Sequence, residues 1–230
     1  MIKKALLVIG STKEKSTSAS LGNTLLAGLA ASGISTAALH INEILARPRG
    51  LDKAVEEISA SDLLILSFPV RADSPPAPLI QLLETLGKRR KNLAASDRIA
   101  LAVISNSGFP EPAHNNPAIE ICRLFAKKSA MRWAGSLALG GGSSLVDGRP
   151  VESIGGKSRE LMKALELAAQ SLAAGGNIPA EAVNLMPEIT LPKWLCVTAN
   201  CLVQHWRALK AGVFGRLYDR PYQEPRSLSN

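Results

Sequence analysis

The first eighteen residues constrain the fold more than any other stretch. Lys3-Lys4-Ala5-Leu6-Leu7-Val8-Ile9-Gly10 is an apolar run of strand length that ends in a glycine. Ser11-Thr12-Lys13-Glu14-Lys15-Ser16-Thr17-Ser18 follows as a loop crowded with hydroxyls and lysines, and a helical pattern begins at about Ala19. Strand, polar loop and helix in that order make the anion-cradling corner of an open α/β sheet. Hydroxyls and backbone N–H groups converge there, and the helix N-terminus adds partial positive charge.

The same alternation runs on down the chain. Leu21, Leu25 and Leu29 share one helical face, and Gly33 closes that helix. Residues 36–41 read as a second strand and 51–59 as a short helix. Residues 62–69 are a third strand, apolar nearly throughout, as a strand covered on both faces should be. A turn rich in proline (Pro75, Pro76, Pro78) leads to the stripe Leu79, Leu82, Leu83, Leu86. Lys88-Arg89-Arg90-Lys91 ends it and complements the negative end of the helix dipole. Residues 99–105 are the fourth strand. Asn116 as cap and Pro117 at the first helical position start a helix to about Ala130. Residues 135–139 are the fifth strand, ending at Gly140-Gly141-Gly142, and Leu161, Leu165, Ala168 and Leu172 mark the next helix.

Five strands in this rhythm predict a doubly wound parallel sheet of order 2-1-3-4-5 with helices on both faces. Its ligand crevice lies where the connections leave strands one and three in opposite directions. On this reading residues 1–178 are the sheet domain, and residues 179–230 are a helical extension packed on it. Pro179, Pro187 and Pro192 interrupt the extension, then residues 194–212 read as one amphipathic helix. From Lys193 to Asn230 there are six Lys or Arg against two Asp or Glu, so half of the chain's formal +8 sits there.

Composition narrows the function. With 230 residues, 46% hydrophobic and 20% charged, the chain carries a sizeable core and is not disordered. Aromatics, at 4%, do not interleave with Lys and Arg as a nucleic-acid stacking platform requires, so no nucleic-acid partner is expected. Cys122, Cys196 and Cys201 form no CxxC and no disulfide framework, which suits reduced thiols in the cytoplasm. The polar loop after Gly10 replaces the cleavage site of a signal peptide. No apolar run nears the roughly 18 residues that span a bilayer.

Several chemistries are excluded. The second glycine of a phosphate-binding Walker loop is replaced by Lys15, and Val151 stands where the first would precede Gly156-Lys157-Ser158. There is no G-x-G-x-x-G after the first strand and no G-x-S-x-G elbow. His40, His114 and His205 lack metal-ligand spacing.

Three loops remain, all at carboxyl ends of strands. The first offers Ser11, Thr12, Ser16, Thr17 and Ser18 as donors to a phosphate. The second, Pro69, Val70, Arg71, Ala72 and Asp73, leaves strand three. The third, Asn106, Ser107, Gly108 and Phe109, leaves strand four, with exposed N–H groups suited to the polar edge of a flat ring.

With these loops in view, residues 3–175 resemble the flavodoxin-like NAD(P)H-dependent oxidoreductases, the group of FMN reductases and quinone reductases, with a weaker echo at Arg220-Pro221-Tyr222. Gly10-Ser11-Thr12-Lys13 with Ser16-Thr17-Ser18 is similar to the family's phosphate loop, and the stretch Phe68-Pro69-Val70-Arg71-Ala72-Asp73-Ser74-Pro75 to its flavin loop. The resemblance implies non-covalent FMN as cofactor, NAD(P)H as co-substrate, and a quinone, flavin or other small acceptor. Chemistry would be carried by the flavin rather than by a catalytic side chain, and two copies would pair as a homodimer. Arg71 departs from the family, which usually has an aromatic there. A guanidinium can stack on a ring. The rival reading is a binding or regulatory module without redox activity, its basic C-terminal helix meeting a partner or an anionic surface.

Overall fold

The computed structural model describes residues 2–90, 99–156, 158–187 and 193–219. The chain divides into two compact units, Met1–Ile189 and Thr190–Asn230. In the first, five strands lie in one sheet, β1 (Lys4–Ile9), β2 (Ser35–His40), β3 (Leu63–Pro69), β4 (Ala100–Asn106) and β5 (Arg132–Leu139). They pair in the order β2-β1-β3-β4-β5, every pair parallel, which is the predicted topology.

The central strands β1, β3 and β4 are mostly apolar because successive side chains feed opposite cores. Leu7, Ile9, Ile65, Ala102 and Ile104 face one core, with Leu21, Leu25 and Leu29 of α1 (Thr17–Ala31) and Leu161, Leu165 and Leu172 of α7 (Ser158–Ala173). Leu6, Val8, Leu64, Leu66, Phe68 and Val103 face the other. That core is covered by α3 (Gly50–Ser59), α4 (Ala77–Arg90) and α5 (Asn116–Lys128). Between β2 and α3 the chain adds α2 (Ile41–Ala46), a helix too short for its periodicity to show in sequence.

Helix ends follow local chemistry. Gly33, at φ +80°, ends α1 with Ile34 N donating to Leu29 O and Gly33 N to Ala30 O, the paired bonds of a Schellman motif. The basic run closing α4 acts outside its own helix as well. Arg89 pairs with Asp52 at 2.9 Å. The buried Arg90 donates to Ser129 O and Ala130 O at 2.7 and 3.2 Å, meeting the carbonyl end of α5. Lys91 lies outside the described residues. α5 begins one residue earlier than its sequence signals suggest. Asn115 occupies the cap position, and its side chain turns inward rather than capping the helix.

Two short helices complete the unit, α6 (Gly142–Leu145) and α8 (Ala180–Asn184). Between α7 and α8 the chain runs along the outer edge of β5, where Ile178 N donates to Ala134 O at 2.7 Å beside Gly135 at φ +103°. The second unit is α9 (Lys193–Lys210) and a 3₁₀ turn, Phe214–Arg216. Gly212, at φ +68°, ends α9 in another Schellman motif, with Val213 N donating to Ala208 O.

Gly10 is needed for space. A Cβ there would stand 2.8 Å from Leu79 Cδ2 and 2.9 Å from Phe68 Cβ, the second of which cannot rotate away. Gly10→Ala is expected to lower unfolding stability by about 1–3 kcal/mol, read as an earlier urea midpoint at unchanged slope. Burial pushes the Cys122 thiol up to about 12, whereas Cys201 is exposed. Peptide mapping after iodoacetamide at pH 8 should therefore find Cys201 alkylated and Cys122 untouched.

Candidate functional site

The sequence between β1 and α1 folds into a tight hydroxyl loop. Ser16 caps α1, its Oγ accepting from Ala19 N at 3.1 Å and its carbonyl from Ser20 N at 3.0 Å. The amides of Thr17 and Ser18 open the helix and have no intrahelical acceptor by construction, so they can face an anion. Ser11 is buried and its Oγ accepts from Lys13 N at 3.2 Å. The outside of the loop is held by the end of β2 and the start of α2, with Asn42 Nδ2 donating to Thr12 O at 2.5 Å and His40 Nε2 lying 3.2 Å from Lys13 O.

The hydroxyls that look equivalent in sequence have different partners. Thr17 Oγ1 donates to Gly142 O at 3.0 Å, across the crevice. Ser18 Oγ accepts from Asn106 Nδ2 at 2.8 Å, and Ser18 O accepts from Ser67 Oγ at 2.7 Å. Asn106 is buried at the end of β4 and donates also to Phe68 O at 3.1 Å, so one amide joins the hydroxyl loop to the exits of β3 and β4. Its amide nitrogen spends both hydrogens on the protein, which makes it a positioning residue.

At the exit of β3, Val70 N donates to Asn106 O at 2.8 Å, and then the chain reverses. Arg71 and Ser74 exchange backbone bonds of 2.9 and 3.1 Å around Ala72 and Asp73, whose φ values are +46° and +59°. Both central residues in the left-handed region define the tight primed turn that glycine and asparagine usually fill. At the exit of β4, Ser107 N donates to Leu139 O and Ser107 O accepts from Gly142 N. Behind it, Asn115 is fully buried, with its Oδ1 accepting from Ser105 Oγ at 2.8 Å and its Nδ2 donating to Pro112 O at 2.9 Å.

These loops enclose a cavity of about 210 Å³. The first loop contributes Ser11 and Ser16 to Ser18, the β3 exit contributes Pro69, Val70 and Arg71, and the β4 exit contributes Asn106, Ser107 and Gly108. Thr12, Ala72, Asp73 and Phe109 do not line it. Thr12 is exposed on the loop's outer side, and Phe109 is 61% exposed with its ring 4.5 Å from that of His114. Ala72 lines a neighbouring groove of about 540 Å³ instead, together with Arg71, Pro75, Ile80 and Glu84.

Three lining residues were not among the predicted contacts: Lys13 and Lys15, which sequence placed in the loop without a role, and Asp147. Asp147-Gly148 is a turn dipeptide, the one signal available, but sequence does not say where such a turn lies. Gly148, at φ +75°, packs on the hydroxyl loop, where a Cβ would stand 3.0 Å from the Lys15 carbonyl carbon. Against Lys13, Lys15 and Arg71 the cavity sets the single carboxylate of Asp147, a formal surplus of two positive charges. That matches a phosphate monoester dianion, and the hydroxyls and helix amides supply its hydrogen bonds. The donor set fits the phosphate end of FMN.

Residues 3–114 match the family model for NADPH-dependent FMN reductases. The match spans just under half of the 230-residue chain, and it covers the first four strands of the sheet and all three site loops. No curated protein matches the chain in sequence. Among solved structures it is similar to an NADH:FMN oxidoreductase in its apo form (18% identity, 83% of this chain and 97% of that one, TM-score 0.60). It is also similar to the NAD(P)H:quinone oxidoreductase from Methanothermobacter marburgensis (15% identity, 75% and 100% covered, TM-score 0.57). A third is a Streptococcus pneumoniae flavodoxin (13% identity, 75% and 99% covered, TM-score 0.53). At these identities the likeness is one of fold. Arg220-Pro221-Tyr222, the weaker echo of the family, lies outside the described residues.

The strained turn gives a test. A non-glycine residue in the left-handed region costs about 1–2 kcal/mol, and glycine there gives back about 0.4–1 through a looser unfolded chain. Ala72→Gly is expected to raise stability by roughly 0.5–1 kcal/mol in urea unfolding.

Proposed function

We propose that this protein belongs with the FMN reductases its N-terminal half matches, and is an FMN-dependent NAD(P)H oxidoreductase passing electrons from a nicotinamide cofactor through bound flavin to a quinone, a flavin or another small acceptor. The observation that carries it is the cavity at the carboxyl ends of β1, β3 and β4, lined by hydroxyl residues, the first turn of α1 and two lysines. When bound, the flavin accepts hydride from NAD(P)H and gives electrons to the acceptor. The chain's own residues bind and orient. Ser11, Ser16 and Ser18 hold the phosphate through their hydroxyls and Thr17 through its amide at the start of α1, and Lys13 and Lys15 balance its charge. Pro69 to Arg71 and Asn106 to Gly108 border the ring, with Arg71 stacking or pairing at its edge. Asn106 keeps the two sides in register. The groove beside Arg71 and Ala72 offers the co-substrate or acceptor a place against the ring. In this reading the enzyme works in the cytoplasm as a homodimer, and its C-terminal unit is an appendage to the catalytic domain.

Purified protein is expected to be yellow or to take up added FMN, and to bleach on NADPH in the absence of oxygen. Flavin-free protein that neither takes up FMN nor oxidises NAD(P)H with a quinone would favour the redox-inactive module. Because the phosphate carries the recognition, FMN should bind at least about 10-fold tighter than riboflavin. Lys15→Glu should weaken FMN by about 10-fold or more and leave riboflavin unchanged, measured by flavin fluorescence quenching.

A further inference from the structure

The second unit carries a surface that the flavin site does not use. Leu195, Leu202, Trp206 and Leu209 of α9 follow one another at spacings of seven, four and three, which gathers them within an arc of about 60°. All four are exposed, Leu202 and Leu209 at 67% and 65%. Beyond the helix Phe214, Leu217 and Tyr218 are exposed too, and they extend the apolar surface past Gly212. Lys210 flanks the stripe with its ammonium 4.0 Å from the centre of the Trp206 ring, and Arg207 lies on the far side of the helix. From Thr190 to Tyr218 the sequence contains Lys193, Arg207, Lys210 and Arg216 and no Asp or Glu. Asp219, the next acid, pairs with Arg216 at 3.1 Å.

We propose that α9 is an interfacial helix that lies on an anionic phospholipid surface, its Leu–Trp stripe in the acyl boundary and its basic residues among the headgroups. Charge decides between occupants. Two copies meeting through this face would bring the Lys210 ammonium of each to the seam with no carboxylate on the helix to pair it. An anionic bilayer supplies both the negative charge and the apolar depth that the helix presents separately. Trp206 under Lys210 suits the boundary, since an indole takes the headgroup level and a lysine ammonium reaches out to the phosphates. The helix lies on the bilayer and does not cross it. Among the described residues no helix is long and apolar enough to span a membrane, and α9 at 18 residues carries Lys193, Arg207 and Lys210. The inference stands apart from the flavin reading, since none of its residues belongs to the cavity.

The test is flotation of the full-length protein with vesicles of phosphatidylcholine alone or with about a third phosphatidylglycerol. Expected is co-flotation with the anionic vesicles only, weakened as salt rises from about 0.05 to 0.5 M. Arg207→Gln with Lys210→Gln should cut partitioning about 30-fold, two charges at about five-fold each. Leu202→Glu with Trp206→Glu should abolish it, and both variants should keep the wild-type circular dichroism, because the replaced side chains are exposed. Absence of flotation at low salt overturns the proposal, as does equal binding to both vesicle types. So does Leu202→Glu with Trp206→Glu floating like the wild type. A chain that fails to float and loses self-association in that variant assigns the face to a second copy instead.

Discussion

The site depends on one buried polar cluster. Asn106 donates to Ser18 and to the carbonyl of Phe68, and Ser67 donates to the carbonyl of Ser18, all with almost no contact with water. In such surroundings a hydrogen bond is strong, and an unpaired partner costs about 1–3 kcal/mol. The cluster is therefore held complete or not at all. Because its members sit on β3, β4 and the first turn of α1, completing it fixes the distance between the hydroxyl loop and the two ring-side loops. Asn115 repeats the device one layer back, holding Ser105 and the Pro112 carbonyl beneath the β4 exit.

The cavity gains its charge differently, from flexible side chains on a rigid rim. Lys13 and Lys15 stand on a loop whose backbone is tied down by Asn42 and His40 on one side and by the close approach of Gly148 on the other. The rim can thus be positively charged without being mobile. Asp147 tempers that field, so the balance meets a dianion without the larger excess that would attract polyanions indiscriminately.

The fold was legible because a parallel strand buried on both faces leaves an uninterrupted apolar run, and three such runs, with Leu stripes between strands, admit few topologies. The six-residue α2 left no such trace, and the edge strand β2, only half-buried, left a weak one. The loops of the site were legible as positions at strand ends, but the division of labour within them was not. Ser16, Thr17 and Ser18 are adjacent hydroxyl residues, and what separates them is contact with Ala19, Gly142 and Asn106, two of these far away in the chain. Phe109 and Thr12 belong to the right loops and point away from the cavity for the same reason: a loop has two sides, and sequence does not tell them apart.

The segment running beside β5 has a consequence for how the molecule meets others of its kind. A strand at the rim of a sheet is an open template on which foreign backbone can zip. At this rim Ile178 already occupies the Ala134 carbonyl, and at Gly135 the regular ladder with β4 is interrupted. The sheet is in effect hemmed at that point, so zipping of a foreign strand along the full length of β5 is opposed where the hem lies.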